Sequence, residues 1–342
     1  KHTRYKEENT VEIKKKAVIV KDEAGLPNYM TMFYMTPEDR QQNPEGAPEM
    51  FKIGHYAGNT RLAVLISQYT NVVLNGIPAS LPYQKPVEGM TFDQAIEACM
   101  RKGENWHLMT NTEWVYLLEE ADRLGHTIGG NTNYGKDADN PEQKAWCYDG
   151  YTVLTGTEPT EWSHDGTAEG VFGLKGNFWE WVSGLRLVRG NIEYIPHNNA
   201  ATCDLRPGAA MWKAAMHEGK RLKLIADGGK VKLTTGERKD DWTGCHMSEM
   251  KLEGLEEVPE IAYKLGIVPR NWQSRKDGIW TDSELEEAVP LRGSGFGSTS
   301  RGGAAALFLS YPRSYSRNSI SFRSALWLDD WELITEILER NA

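Results

Sequence analysis

The chain has 342 residues, 39% of them hydrophobic and 25% charged, with a formal net charge of −9. That is the make-up of a globular chain able to bury one large core or two smaller ones. The acid excess excludes a general nucleic-acid partner, which needs a basic face, and no apolar run reaches the roughly 18 residues of a membrane span.

Residues 1–45 read as an N-terminal extension. Val11-Glu12-Ile13 and Ala17-Val18-Ile19-Val20 are short strand signals, and the intervening Lys14-Lys15-Lys16 predicts a solvated edge or turn. The Pro-rich run from Thr36 to Pro48 predicts a linker or loop, and the main domain, 46–326, begins after it with a strand near Ala63–Ile66. Two helices have readable starts. Thr91-Phe92-Asp93-Gln94 and Thr110-Asn111-Thr112-Glu113 are capping-box patterns, each leading into an apolar stripe and each followed by a glycine stop, Gly103 and Gly125. Both stripes are simplest as core faces. The four cysteines, Cys99, Cys147, Cys203 and Cys245, show no CxxC spacing; reduced, mostly buried thiols are expected, with one disulfide left open.

Further along, Gly170–Trp181 reads GVFGLKGNFWEW. Gly176-Asn177 suits a tight turn, and the alternation that follows puts an aromatic layer on one strand face. This motif, with Pro86-Val87, Gln94-Ala95, Trp106–Thr110 and Glu113-Trp114, resembles the formylglycine-generating-enzyme family, whose wording is PV, xxA, LPTEAEWE and GxxDMxGNVWEW. The resemblance spans roughly residues 50–200 and 290–326. It implies an α+β, C-type lectin-like fold of the formylglycine-generating-enzyme subtype: short twisted antiparallel sheets, two main helices and much irregular chain.

The matching lapses at about 204–288, which reads as an insertion. Within it, the stretch from Ala209 to Leu222 (AAMWKAAMHEGKRL) looks helical, and so does Glu256–Gly266. Past the insertion, Ser294–Ser319 holds no Lys, Glu, Gln, Met, Trp or Asp and is dominated by Ser, Gly, Tyr and Arg, the vocabulary of antibody-like binding loops. It is flanked by Leu291-Arg292-Gly293 and by the alternating Ile320-Ser321-Phe322-Arg323. The pattern LRG-x-x-F, GG-x5-L-x-Y-P-x-S and I-x-FRSAL resembles the variable region of proteins diversified by retroelements, in which a reverse transcriptase miscopies adenines and scatters chosen codons. Codons of the AAY type cannot become Lys, Glu, Gln, Met or Trp. The resemblance implies a variable region at 291–326 with Gly295, Gly297, Ser298, Arg301, Phe308, Ser310, Tyr311, Tyr315, Arg317, Asn318 and Ser319 as diversified, ligand-binding positions. Such proteins use the lectin-like fold, so the two resemblances agree. The tail, 327–342, predicts a helix capped by Asp329 or Asp330 with Trp331, Ile334 and Leu338 on one face, docked on its own domain.

Catalysis is not expected. The enzymes of the first family hold copper with two cysteines near the chain end, whereas the last cysteine here is Cys245. His164-Asp165 reads as a hydrogen-bonded turn, and Asn198-Asn199 as turn residues. No metal ligands or cofactor are assigned; calcium stays open with its ligands unnamed. The expectation is a non-enzymatic receptor-recognition protein on a phage particle or bacterial cell surface. Its partner would be a protein or surface glycan on a target cell, with no nucleic acid and no membrane span. The alternatives are an inactive or altered formylglycine-generating-type oxidoreductase and a carbohydrate lectin of fixed specificity.

Overall fold

The structure, a computed structural model, describes residues 11–54, 60–239 and 241–342, so the first ten residues of the expected N-terminal extension lie outside it. The architecture is α+β: several small sheets, no barrel, and five α-helices among the described residues. These helices are α1 (Pro37–Gln42), α2 (Phe92–Met100), α3 (Asn111–Leu124), α4 (Glu260–Lys264) and α5 (Trp331–Arg340).

The first sheet has five antiparallel strands in the order Lys14–Lys21, Pro27–Tyr34, Ala63–Ser67, Ser324–Leu328, Trp106–Leu108. The N-terminal segment is therefore no appendage. Its two strands form one side of the sheet, and Lys14–Lys16 lie within the edge strand instead of a turn. An edge strand tolerates such a run because one side of its backbone faces away from the ladder. The Thr36–Pro48 run is likewise folded: Thr36 caps α1 in a capping box with Asp39, with Pro37 at a position where its missing N–H costs nothing. At the far end, Asp330 caps α5, Ile334 is fully buried against this sheet's core, and the Asn341 side chain accepts a hydrogen bond from the Ile19 N–H at 2.8 Å.

A second sheet of six strands is mixed. Its order is Trp242–His246, Gly278–Asp282, Leu307–Leu309, Leu291–Arg292, Trp179–Trp181, Ile320–Phe322, with parallel pairing at the second and last joints. A third sheet is built around Asn191–Tyr194, Lys223–Asp227 and Lys230–Thr234. The expectation of antiparallel sheets thus needs correcting at three joints, the remaining one being Lys230–Thr234 with Lys251–Glu253.

The helices α2 and α3 begin at the Thr91 and Thr110 capping boxes, and α3 ends at Gly125 in the left-handed conformation (φ 65°). The helix expected over 209–222 is absent. That stretch forms Lys213–Ala214 and then a tight hairpin pairing Met216–His217 with Lys220–Arg221. Its two-residue turn, Glu218-Gly219, has φ of 49° and 75°, and two positive φ values suit the twist of a hairpin. Ala215 and Leu222 are buried on either side. Over Glu256–Gly266 only Glu260–Lys264 is helical.

The insertion does not stand apart either. Trp242–His246 and Gly278–Asp282 are two of the six strands of the second sheet. Leu224, Val231, Leu233 and Ile279 pack beneath it against Leu307 and Leu309. Each such buried aliphatic side chain contributes about 1.5–3 kcal/mol, so the insertion supports the sheet that carries the Ser/Gly/Tyr/Arg segment.

Candidate binding surface

The two ends of the 291–326 segment are anchored by buried arginines. Arg323 is fully buried; its Nε donates to Glu180 Oε2 at 2.7 Å and its Nη1 to the Ser67 carbonyl at 3.1 Å. Arg292 is equally buried but meets oxygens of uncharged groups. Nη2 donates to Asn111 Oδ1 at 2.7 Å and to the Gly266 carbonyl at 2.8 Å, and Nη1 reaches the Ala305 carbonyl. With no carboxylate to oppose desolvation, burial pushes the guanidinium down to about 9. Asn111 is the first residue of α3, so the helix start is tied to the strand that opens the segment.

The loop 294–303 is closed on itself. Ser294 Oγ accepts from the Gly303 N–H at 3.2 Å, and Trp114 Nε1 donates to the Ala304 carbonyl at 2.9 Å. Its start is fixed by the Gly176-Asn177 turn, both residues in the left-handed region (φ 79° and 64°). A Cβ on Gly176 would sit 2.0 Å from the Asn131 carbonyl oxygen, so only glycine fits. The Asn177 side chain bonds both the N–H and the carbonyl of Val153, and its own carbonyl accepts from the Phe296 N–H at 3.0 Å.

Between these anchors the outer face of the six-stranded sheet carries a run of aromatic rings. Trp179 meets Trp280 edge-on (centroids 5.6 Å, 84°), Trp280 lies beside Phe308 (5.4 Å, 33°), Phe308 beside Tyr311 (4.6 Å), and Tyr311 stacks on Tyr315 (3.7 Å, 14°). All five are half-buried. The Trp280 indole lies across two glycines: a Cβ on Gly244 would fall 1.9 Å from its Cδ1, and one on Gly278 2.0 Å from its Cη2. The glycines let the ring lie flat on the backbone of its own strand and of the next. Burial, followed by a hydrogen bond with Tyr315, holds the Tyr311 phenol above its ordinary value.

Of the eleven expected positions, Phe308, Tyr311 and Tyr315 join this run. Gly295 is buried, its Cβ position 3.4 Å from Trp179 Cδ1, and its N–H donates to Ser298 Oγ at 3.0 Å. Gly297 is exposed beside Tyr134, which with Tyr151 packs around Phe296. Arg301, Arg317 and Asn318 are exposed, and Ser319 is half-buried, its carbonyl accepting from the Trp179 N–H at 3.0 Å. Ser310 is 5% exposed, with no partner for its hydroxyl among the described residues, so it lies under the surface, not on it. Arg313 is committed internally, to Glu287, Asp93 and the Leu205 carbonyl. Sequence reasoning missed Trp179, Trp280, Tyr134 and Tyr151. Trp179 was visible in the WEW run but reads there as core, and a flat Trp280 depends on a strand register that no local spacing gives.

His164 and Asp165 form a buried turn. His164 Nδ1 accepts from the Val171 N–H at 2.8 Å, and Asp165 accepts from Ser163 and Thr167 and pairs with Lys15. The Asn198 amide donates to the Met50 carbonyl and to Glu113, and accepts from Thr110. All four cysteines are free, Cys99 and Cys245 buried, with burial raising each thiol. Among the described residues no group of three or more His, Cys, Asp or Glu side chains is placed to hold a metal ion, and no helix is long and apolar enough to cross a membrane.

The chain matches no protein-family model and no curated protein. Among solved structures it is similar to one titled "Structure of PvdO from Pseudomonas aeruginosa", at 14% identity over 92% of this chain and 100% of that one, with a TM-score of 0.37.

Proposed function

We propose that this chain is a non-enzymatic ligand-binding protein. In this reading a lectin-like scaffold of the formylglycine-generating-enzyme subtype presents the retroelement-diversified segment 291–326. The observation that carries the reading is the contrast within that segment: buried arginines hold its ends while its interior places Phe308, Tyr311 and Tyr315 in a half-open aromatic run. Aromatic side chains give large contact area at low entropic cost, and they dominate interface energetics. The exposed Arg317, hydrogen-bonded to Tyr311, adds a forked donor at the same surface, and Arg301 is exposed in the preceding loop. The partner is a protein or surface glycan on a target cell, and the setting a phage particle or bacterial surface.

Two measurements test this. A near-copy of codons 291–326 in the surrounding DNA, differing only where the copy has adenine and lying beside a reverse transcriptase gene, is the expected finding; its absence removes the diversification. The double variant Tyr311→Ala, Tyr315→Ala is expected to lose binding to target cells while unfolding free energy changes by about 1 kcal/mol or less. Collapse of the fold in that variant would make the tyrosines structural and end the display reading.

A further inference from the structure

Away from the aromatic run, a cleft of about 730 Å³ opens between α2, the Trp106–Leu108 strand and the 200–206 loop. This is the size of a small-molecule site. Helix α2 lends it one face, Asp93, Ile96, Glu97 and Met100, at the spacing that places residues on the same side of a helix. Its apolar surface includes Met100, 64% exposed, with Leu205 and Trp327. Trp327 lends the cleft indole ring surface, while its N–H is buried away from solvent.

The charges of the cleft are unevenly committed. Both of its arginines already hold carboxylates: Arg206 grips Asp204 through Nε at 2.9 Å and Nη2 at 2.6 Å, and Arg313 pairs with Glu287 at 2.9 Å and Asp93 at 3.3 Å. Two carboxylates, Glu97 and Glu104, line the cleft, are exposed and have no ion pair among the described residues. Burial holds the Asp93 carboxyl above its ordinary value; Arg313 opposes this, while Glu287 and Glu97 add to it. The uncommitted charge is therefore negative and stands beside exposed apolar surface.

We infer that this cleft is a second binding site, for a small organic cation that joins an ammonium group to an apolar body. The body covers Ile96, Met100 and Leu205 beside the Trp327 ring, and the ammonium faces Glu97 and Glu104. The site does not depend on the display reading. The two regions meet at Arg313, which belongs to the Ser/Arg/Tyr segment by sequence and to the cleft by position, and Ile96 of the cleft shares a core cluster with Tyr311 and Tyr315.

The test is a titration of the full chain with 2-phenylethylamine, 2-phenylethanol and phenylacetate, which share one ring and differ in charge. It is followed by NMR at the Met100 methyl and the Trp327 indole N–H. The amine is expected to shift both signals and to bind about fivefold more tightly than the alcohol, the scale of two partly exposed charge contacts. Phenylacetate is expected to bind weakest. Glu97→Gln with Glu104→Gln is expected to bring the amine down to the affinity of the alcohol, and Tyr311→Ala with Tyr315→Ala to leave it unchanged. Equal binding of amine and acetate, an amine affinity that survives the double Gln change, or no shift at either reporter up to millimolar amine would each overturn the proposal.

Discussion

The ends and the middle of the 291–326 segment solve opposite problems with overlapping residue types. At the ends, Arg292 and Arg323 are both fully buried; in the middle, Arg301 and Arg317 are exposed. The buried pair also differ from each other. Arg323 faces Glu180, an ion against an ion, whereas Arg292 is surrounded by amide and carbonyl oxygens. A guanidinium can do both because its donors lie in a fixed plane that matches several oxygens at once. Burial of the ends fixes where the backbone leaves and re-enters the sheet. The exposed side chains of the middle can then vary without carrying the fold, which Leu307 and Leu309 beneath them do.

The strongest way to break this contrast is at the ends. Glu180→Ala leaves Arg323 a buried charge without its carboxylate, and removing one partner of such a pair costs about 3–5 kcal/mol. Chemical denaturation should show a loss of that order, against about 1 kcal/mol or less for the tyrosine pair in the middle. If Glu180→Ala proves as mild as the tyrosine changes, the ends are not the anchors. A smaller effect is expected beneath the aromatic run. Gly278→Ala sets a methyl 2.0 Å from Trp280 Cη2 and must tilt the indole off the sheet, at about 1–3 kcal/mol. Near-ultraviolet circular dichroism should report the displaced ring. An unchanged tryptophan signature would mean that the indole does not rest on the glycines.

These sites also mark what the sequence could convey. Helices α2 and α3 were legible because a capping box is a contiguous signal: Thr91 with Gln94, and Thr110 with Glu113, close reciprocal bonds over three residues. The anchoring ends were legible as a pattern, since Ile320 and Phe322 alternate with polar neighbours. The role of the 204–288 stretch was not legible. Its strands Trp242–His246 and Gly278–Asp282 are more than thirty residues apart yet adjacent in space, and only that register brings Gly244 under Trp280. The false helix over 209–222 has a similar cause. Its Ala, Met and Lys content favours a helix locally, but burial of Ala215 and Leu222 around a Glu218-Gly219 turn overrides the preference.

The smallest effect expected concerns a second carboxylate at the Arg323 end. Glu158 is half-buried, its Oε2 has no hydrogen-bond partner among the described residues, and burial pushes its carboxyl up to about 7, opposed by backbone N–H groups and then by Arg323. An acid whose folded value lies above its ordinary 4.5 binds its proton more tightly in the folded state. Folding is therefore favoured at low pH, and that advantage is lost as pH rises from about 4.5 to about 7. Glu158→Gln removes the titration. The variant should match the parent near pH 4.5 and exceed it by about 1 kcal/mol at pH 8, a value discounted for partial exposure. Parallel stability curves for the two proteins across this range would show that the Glu180–Arg323 pair, with Glu158 charged throughout, sets the electrostatics of this end. A gap that opens between pH 5 and 7 would instead place a pH dependence of stability at this buried end, with Glu158 as its source.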